Sequence, residues 1–178
     1  MINSATERLF FALWPNETVF SHLSQLSQAV THTQGIMGKM IPPVNWHITL
    51  AFLGNINMAT KQCLQQAAAT VKSDRFNLSL DQLGYWPKTQ ILWLGASQTP
   101  EPLAQLVIQL TMALQSCGYH PEKRPFHAHI TLMRKANRIK NLPSITPISW
   151  SVQDFCLVRS TLTTGSAHYE IITRWALT

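Results

Sequence analysis

The sequence contains no apolar run that approaches the roughly 18 residues of a membrane span. Its first ten residues carry Glu7 and Arg8 where a secretory leader would place a long apolar stretch. Both absences point away from a membrane. Charge is scarce too: Asp, Glu, Lys and Arg make up 12% of the chain, about half the usual 25%, so much of the surface has to be neutral and polar. Cysteine is limited to Cys63, Cys117 and Cys156, far apart and odd in number. With no C-x-x-C pair, the usual zinc and dithiol signatures are missing, and a reducing cytoplasm fits best. No low-complexity linker divides the 178 residues, so one domain is expected over 1–178, with any two lobes packed together.

What is present begins with a net charge of +6 and a pI near 9.6, which favours an anionic partner without identifying it. The apolar run from Leu9 to Trp14, stopped by Pro15, reads as a buried strand. Asn16 can then cap a helix over Glu17 to Val30, with Phe20, Leu23, Leu26 and Val30 on one face, ended by Gly35 and Gly38. Pro42-Pro43 leads into a strand from Trp46 to Leu53, closed by Gly54-Asn55. Asn57 caps a second helix over Ala59 to Lys72, followed by strands at Phe76 to Asp81 and Ile91 to Leu94. A third helix starts at Thr99-Pro100-Glu101 and ends at Gly118. A strand over Pro125 to Met133, a basic loop from Arg134 to Lys140, and strands over Ile148 to Ser160 and His168 to Trp175 complete the chain, the last two joined by a turn at Thr163 to Ser166. About seven strands and three helices, not strictly interleaved, predict an α+β fold with mainly antiparallel sheet.

One feature is too specific for packing alone. His-Ile-Thr-Leu occurs at His47 to Leu50 and again at His129 to Leu132, 82 positions later, each time in an apolar run behind a proline. Two matches to His, aliphatic, Thr or Ser, aliphatic are expected by composition in roughly one such chain in a thousand. On a strand, His47 and Thr49 point to one face while Ile48 and Leu50 point to the other, and the same parity holds for His129 and Thr131. Two imidazoles and two hydroxyls then face one cleft. A neutral imidazole can take a proton from an attacking water or hydroxyl, and a protonated one can give a proton to a leaving oxygen. The hydroxyls of Thr49 and Thr131 can donate to phosphoryl oxygens as charge builds on them. This chemistry requires neither metal nor cofactor. Two other readings compete with it: histidines that are simply hydrogen-bonded core residues, and a zinc site built from His127, His129 and His47.

The wider sequence around these motifs resembles the RNA 2′,3′-cyclic phosphodiesterases, also called 2′-5′ RNA ligases, of the two-histidine phosphoesterase superfamily. The resemblance rests on Arg8 to Pro15, Asn45 to Gly54, Leu92 to Gly95, Arg124 to Leu132, Tyr169 to Ile171 and Arg174-Trp175. It implies two pseudo-symmetric lobes of antiparallel sheet backed by helices around a central cleft. It also implies hydrolysis of an RNA 2′,3′-cyclic phosphate to a 2′-phosphomonoester, with reversible 2′-5′ joining as a further activity. His47 is the implied proton donor and His129 the implied proton acceptor. The partners are RNA 3′ ends or nucleotide cyclic phosphates, met by a monomer. The alternatives are a related phosphoesterase for 2′-5′ oligonucleotides or small cyclic nucleotides, and a binding module without turnover.

Ala128 departs from the family, which often has proline at that position, and His127 lies two residues ahead of His129. His127 therefore joins the expected substrate-contacting residues. Arg134 is a candidate phosphate clamp, although strand parity returns it to the face of His129 only if a bulge intervenes. Phe11, Trp46 and Tyr169 are candidates for stacking on a base, and Lys123, Arg124, Lys135, Arg138 and Lys140 for tracking an RNA backbone.

Overall fold

The computed structural model describes residues 6–137, 139, 141–163 and 166–178, with the side chains of 31–34 and 166 left aside. Within these residues the chain forms ten strands and three α-helices: β1 (Thr6–Leu13), α1 (Glu17–Gln34), β2 (Lys39–Met40), β3 (Ile48–Asn57), α2 (Met58–Ala69), β4 (Phe76–Leu80), β5 (Gln82–Trp86), β6 (Ile91–Gly95), α3 (Glu101–Gln115), β7 (His129–Arg134), β8 (Ile148–Val152), β9 (Asp154–Thr163) and β10 (Ser166–Ala176). Every strand pairing is antiparallel, and the α+β expectation holds. The expected caps are in place: Asn16 accepts from Val19 N–H at 2.9 Å and Asn57 from Thr60 N–H at 2.8 Å, satisfying donors that a helix start leaves unpaired. Gly35 ends α1 in the left-handed conformation, with φ of 58°.

The main sheet runs β10-β9-β1-β3-β7-β6-β5, with β2 also on β7. It is best understood as two half-sheets, because β3 and β7 share a single paired position, Ile48 with Ile130. Both isoleucines are fully buried, so the residues on either side of them are turned to the opposite face of the seam. The second sheet is the pair β4-β8. There Phe76, Leu78 and Leu80 lie across from Val152, Trp150 and Ile148, all facing the core. Helices α2 and α3 contact each other and β3, whereas α1 packs on β8. The core joins Leu9, Phe11 and Leu13 of β1 to Leu103, Leu106, Leu110 and Leu114 of α3.

Several expected boundaries change. Gly54 does not close its strand: with φ of 78° it sits beside a register shift opposite Leu9/Phe10, and β3 continues to Asn57. A glycine in this conformation lets a strand bulge and go on. The single strand expected over Ile148 to Ser160 is two, since β8 belongs to the small sheet and β9 to the large one. Strand β5 was hidden because its central Gly84 weakens a strand pattern. The fold needs that glycine, as a Cβ there would lie 1.9 Å from the Trp93 ring. The turn residues Thr164 and Gly165 and the basic residues Arg138 and Lys140 lie outside the described residues.

The cysteines also differ from expectation. Cys63 of α2 and Cys117 just beyond α3 form a disulfide, with Cα atoms 5.8 Å apart; only Cys156 is free, and it is buried. Separation in sequence carried no information about two helices that pack side by side. With two of the three cysteines joined, the cysteines do not indicate a reducing compartment. No described helix is long and apolar enough to cross a membrane.

Candidate active site

The two tetrapeptides meet at the Ile48 and Ile130 bridge. Around the first, Trp46, Ile48 and Leu50 are buried in the core while His47 and Thr49 are partly exposed; around the second, Ala128, Ile130 and Leu132 are buried while His129 and Thr131 are partly exposed. In an antiparallel pair, cross-strand partners share a face, so the four polar side chains lie together on the face opposite the isoleucines. The expected quartet is thus assembled by one bridge between the half-sheets. Ala128, the family departure, faces the core and leaves the quartet untouched.

Each imidazole is anchored by a backbone carbonyl. His47 Nδ1 is 2.6 Å from Asn45 O, and His129 Nδ1 is 2.8 Å from His127 O. A carbonyl only accepts, so Nδ1 carries the hydrogen in both rings and Nε2 is the atom that exchanges protons. His47 Nε2 lies 3.1 Å from Thr49 Oγ1, so the threonine hydroxyl donates to it. Burial pushes the His47 pKa down to about 4, against the effect of the Asn45 carbonyl, and burial lowers that of His129 as well. The reason is visible in the packing of His47, which is stacked on Trp14 (5.6 Å, 5° between planes) and flanked by Phe10 at 4.8 Å and Tyr169 at 5.3 Å. An imidazolium loses hydration in such surroundings.

Arg134 is placed by the bulge that parity required. The β6-β7 register passes from Trp93/Thr131 to Leu92/Met133, leaving Leu132 over, and both Leu132 and Met133 are buried. The extra residue restores Arg134 to the parity of His129 and Thr131. Its charge acts on both imidazoles, helping to disfavour their protonated forms. Tyr169 is at the site as expected, against Phe10 and His47, and His127 is exposed beside His129.

Two expected stacking residues are elsewhere. Phe11 is fully buried against Phe155 and Trp175, and Trp46 is 2% exposed against Phe20. Alternation explains both: Phe11 and Trp46 point to the core, and their neighbours Phe10 and His47 take the site face. Neither buried ring can receive a base. Lys123, Arg124 and Lys135 are exposed, and Arg124 is paired with Glu122 at 2.9 Å. Among the described residues no three His, Cys, Asp or Glu side chains gather as metal ligands would, so the zinc alternative lacks a ligand set. A cavity of about 500 Å³ between α1 and the segment Met40 to Trp46 includes none of the quartet.

Asn45 is a residue that sequence reasoning missed. Its side chain is buried, and Nδ2 donates to Ala167 O of β10 at 2.7 Å while its own carbonyl holds His47. The amide thus ties the anchor of the imidazole to the strand that carries Tyr169. Its place two residues before His47 was the only available signal. Asn45→Ala is expected to lower kcat about tenfold or more by loosening this alignment, with KM little changed. Steady-state kinetics beside a melting curve at the assay temperature tests this, because loss of folded protein alone would not shift the pH profile of the remaining activity.

Fold and site together define a phosphoesterase-type arrangement with paired His-x-Thr motifs across one seam. A family model for the 2′-5′ RNA ligase superfamily matches residues 21–164, and the chain belongs to that superfamily. It is 33% identical over 177 residues to the RNA 2′,3′-cyclic phosphodiesterase of Escherichia coli strain K12, covering 98% of this chain and 99% of the relative. The enzyme of the same description from Aeropyrum pernix is 30% identical over 129 residues, covering 71% and 72%. Among solved structures, E. coli LigT complexed with 3′-AMP superposes with a TM-score of 0.88 at 32% identity, covering 97% of this chain and 99% of that one.

Proposed function

We propose that this chain hydrolyses the 2′,3′-cyclic phosphate at an RNA 3′ end, or on a nucleotide, to a 2′-phosphomonoester. The observation that carries this reading is the quartet of His47, Thr49, His129 and Thr131 on one face of the Ile48 and Ile130 bridge. In the reaction, water adds to phosphorus as one imidazole removes its proton. The bond from phosphorus to O3′ breaks, and the other imidazole supplies the proton that O3′ takes up. The Thr131 hydroxyl and Arg134 donate to the non-bridging oxygens, joined by the Thr49 hydroxyl once protonation of His47 Nε2 removes its acceptor. His47 acts as donor and His129 as acceptor, as the resemblance implies. With its pKa pushed down to about 4, His47 is neutral in the free chain at pH 7, so it takes up its proton from solvent as the substrate binds, the anionic phosphate stabilising the imidazolium. The chain acts as a monomer in one two-lobed domain. We place it in the cytoplasm on account of an RNA substrate.

The decisive experiment supplies RNA or dinucleotides ending in a 2′,3′-cyclic phosphate to chelator-treated protein and identifies the product. A 2′-phosphate is expected. A 3′-phosphate, or no turnover, contradicts the reading.

Both lowered histidine values set the pH dependence. The competent free enzyme holds one proton between two imidazoles whose pKa values lie below 6.5. As pH rises above both, the doubly neutral form takes over and kcat/KM falls, approaching tenfold per unit. The optimum of kcat/KM is therefore expected on the acid side of 6.5, with the kcat profile displaced upward by bound phosphate. Stability follows the same groups with a definite sign. Between about 4 and 6.5 the unfolded chain binds the proton that folded His47 refuses. Stability is complete above 6.5 and declines as pH falls toward 4, by on the order of 3 kcal/mol for this residue. Denaturant midpoints at pH 7 and pH 5 measure the loss.

A further inference from the structure

The substrate's nucleoside has to leave the paired imidazoles on one side or the other, and the two sides differ. Around His47 the partly exposed rings Trp14 and Tyr169 are already committed, one stacked on the imidazole and the other edge-on to it, and both packed with Phe10 on the small cluster of Ala12, Cys156 and Val158. Around His129 they are not. Trp93 of β6 lies across from Thr131 and from Gly84 of β5, and Trp86 is two residues beyond Gly84, so cross-strand partnership and parity put Trp86, Trp93 and Thr131 on one face. The Trp93 ring occupies space that side chains at Gly84 and Gly95 would fill, because a Cβ at either would come within 3 Å of it. It thereby forms a floor. On this floor stand two rings that solvent reaches: Trp86, partly exposed, and His127, exposed. Trp86 is 5.3 Å from Trp93 and 4.7 Å from His129; His127 is 4.7 Å from Trp93 and 6.0 Å from Trp86, with 73° between the latter pair of planes.

We propose that Trp86 and His127, set nearly at right angles over Trp93 and beside His129, form the corner in which the nucleobase next to the reacting phosphate stacks. The inference rests on the phosphodiesterase reading and adds to it the part of the substrate that is not phosphate. Stacking uses the π-face that every base possesses, so the corner favours a base over none while discriminating little among the four bases.

The test compares a nucleoside 2′,3′-cyclic phosphate with methyl riboside 2′,3′-cyclic phosphate, which has the same reacting ester and no base. Wild-type protein is expected to prefer the nucleotide in kcat/KM. Trp86→Ala is expected to reduce that preference about tenfold or more, chiefly through KM for the nucleotide; Trp86→Phe restores most of it, and His127→Ala reduces it several-fold. A wild type without preference, or a Trp86→Ala variant that slows both substrates equally, overturns the proposal, since Trp86 would then only support His129. If wild-type protein turns over neither substrate, the phosphodiesterase reading fails, and calorimetric binding of a nucleoside 3′-monophosphate against inorganic phosphate decides the corner by itself. Trp86→Ala must then narrow the gap between the two dissociation constants about tenfold, and an unchanged gap rejects it.

Discussion

Replacing either His47 or His129 with Ala lowers kcat on an RNA 2′,3′-cyclic phosphate by about two to four orders of magnitude, the largest effect expected of any substitution in this chain. The size follows from the geometry. Each Nδ1–H is committed to a backbone carbonyl, Asn45 O for His47 and His127 O for His129, so each ring offers one atom, Nε2, for proton exchange. Water cannot take the place of a ring held in that direction without giving up the alignment. Removing both rings is expected to cost little more than removing one, because acid and base serve a single displacement and their effects do not add. Initial rates of the single and double variants, with circular dichroism to establish folding, measure this. A single variant that retained wild-type kcat would remove the proposed mechanism. Thr49→Val, whose hydroxyl donates to His47 Nε2 across 3.1 Å, is the milder companion, expected to lose catalysis without loss of fold.

Phe11→Ala has the second largest expected effect, and it acts on stability. Phe11 is fully buried between Phe155 and Trp175, so truncation removes a large apolar side chain from a site that cannot close around the gap. The expected cost is about 3–5 kcal/mol, read from denaturant unfolding, while the folded fraction keeps its kinetic constants. Phe10, its neighbour, provides the contrast. Phe10 lies 4.8 Å from the His47 ring, and Phe10→Ala opens that ring to water, weakens the desolvation that holds its pKa down, and moves the activity profile toward higher pH. One strand thus separates folding and catalysis between adjacent residues. Equal effects on stability and on pH dependence from both substitutions would contradict this assignment of faces.

The substitution of Phe10 for Phe11 at the site shows where sequence reasoning stopped. Leu9 to Leu13 is apolar on both faces, so alternation separated the two phenylalanines without indicating which face was the core. The same uncertainty put Trp46 at the site, although its neighbour His47 had to point the other way. Strand β5 was missed because Gly84 breaks the strand pattern, and with it went Trp86. Pairing of Cys63 with Cys117 needed the packing of α2 against α3.

The sequence by itself determined the α+β class, the caps of α1 and α2, and the face parity of His47, Thr49, His129 and Thr131 on their strands, because each depends on spacing within a short segment. A tetrapeptide repeated exactly carries its own parity wherever it folds. Tertiary structure alone decided what depends on contacts between distant segments. These are the bridge that puts the two motifs on one face, the burial that holds His47 neutral, the bulge at Leu132 that returns Arg134 to the site, and the hydrogen bond from Asn45 to Ala167. Each of them is set by which strand lies beside which, and strand neighbours are chosen by the packing of the whole chain.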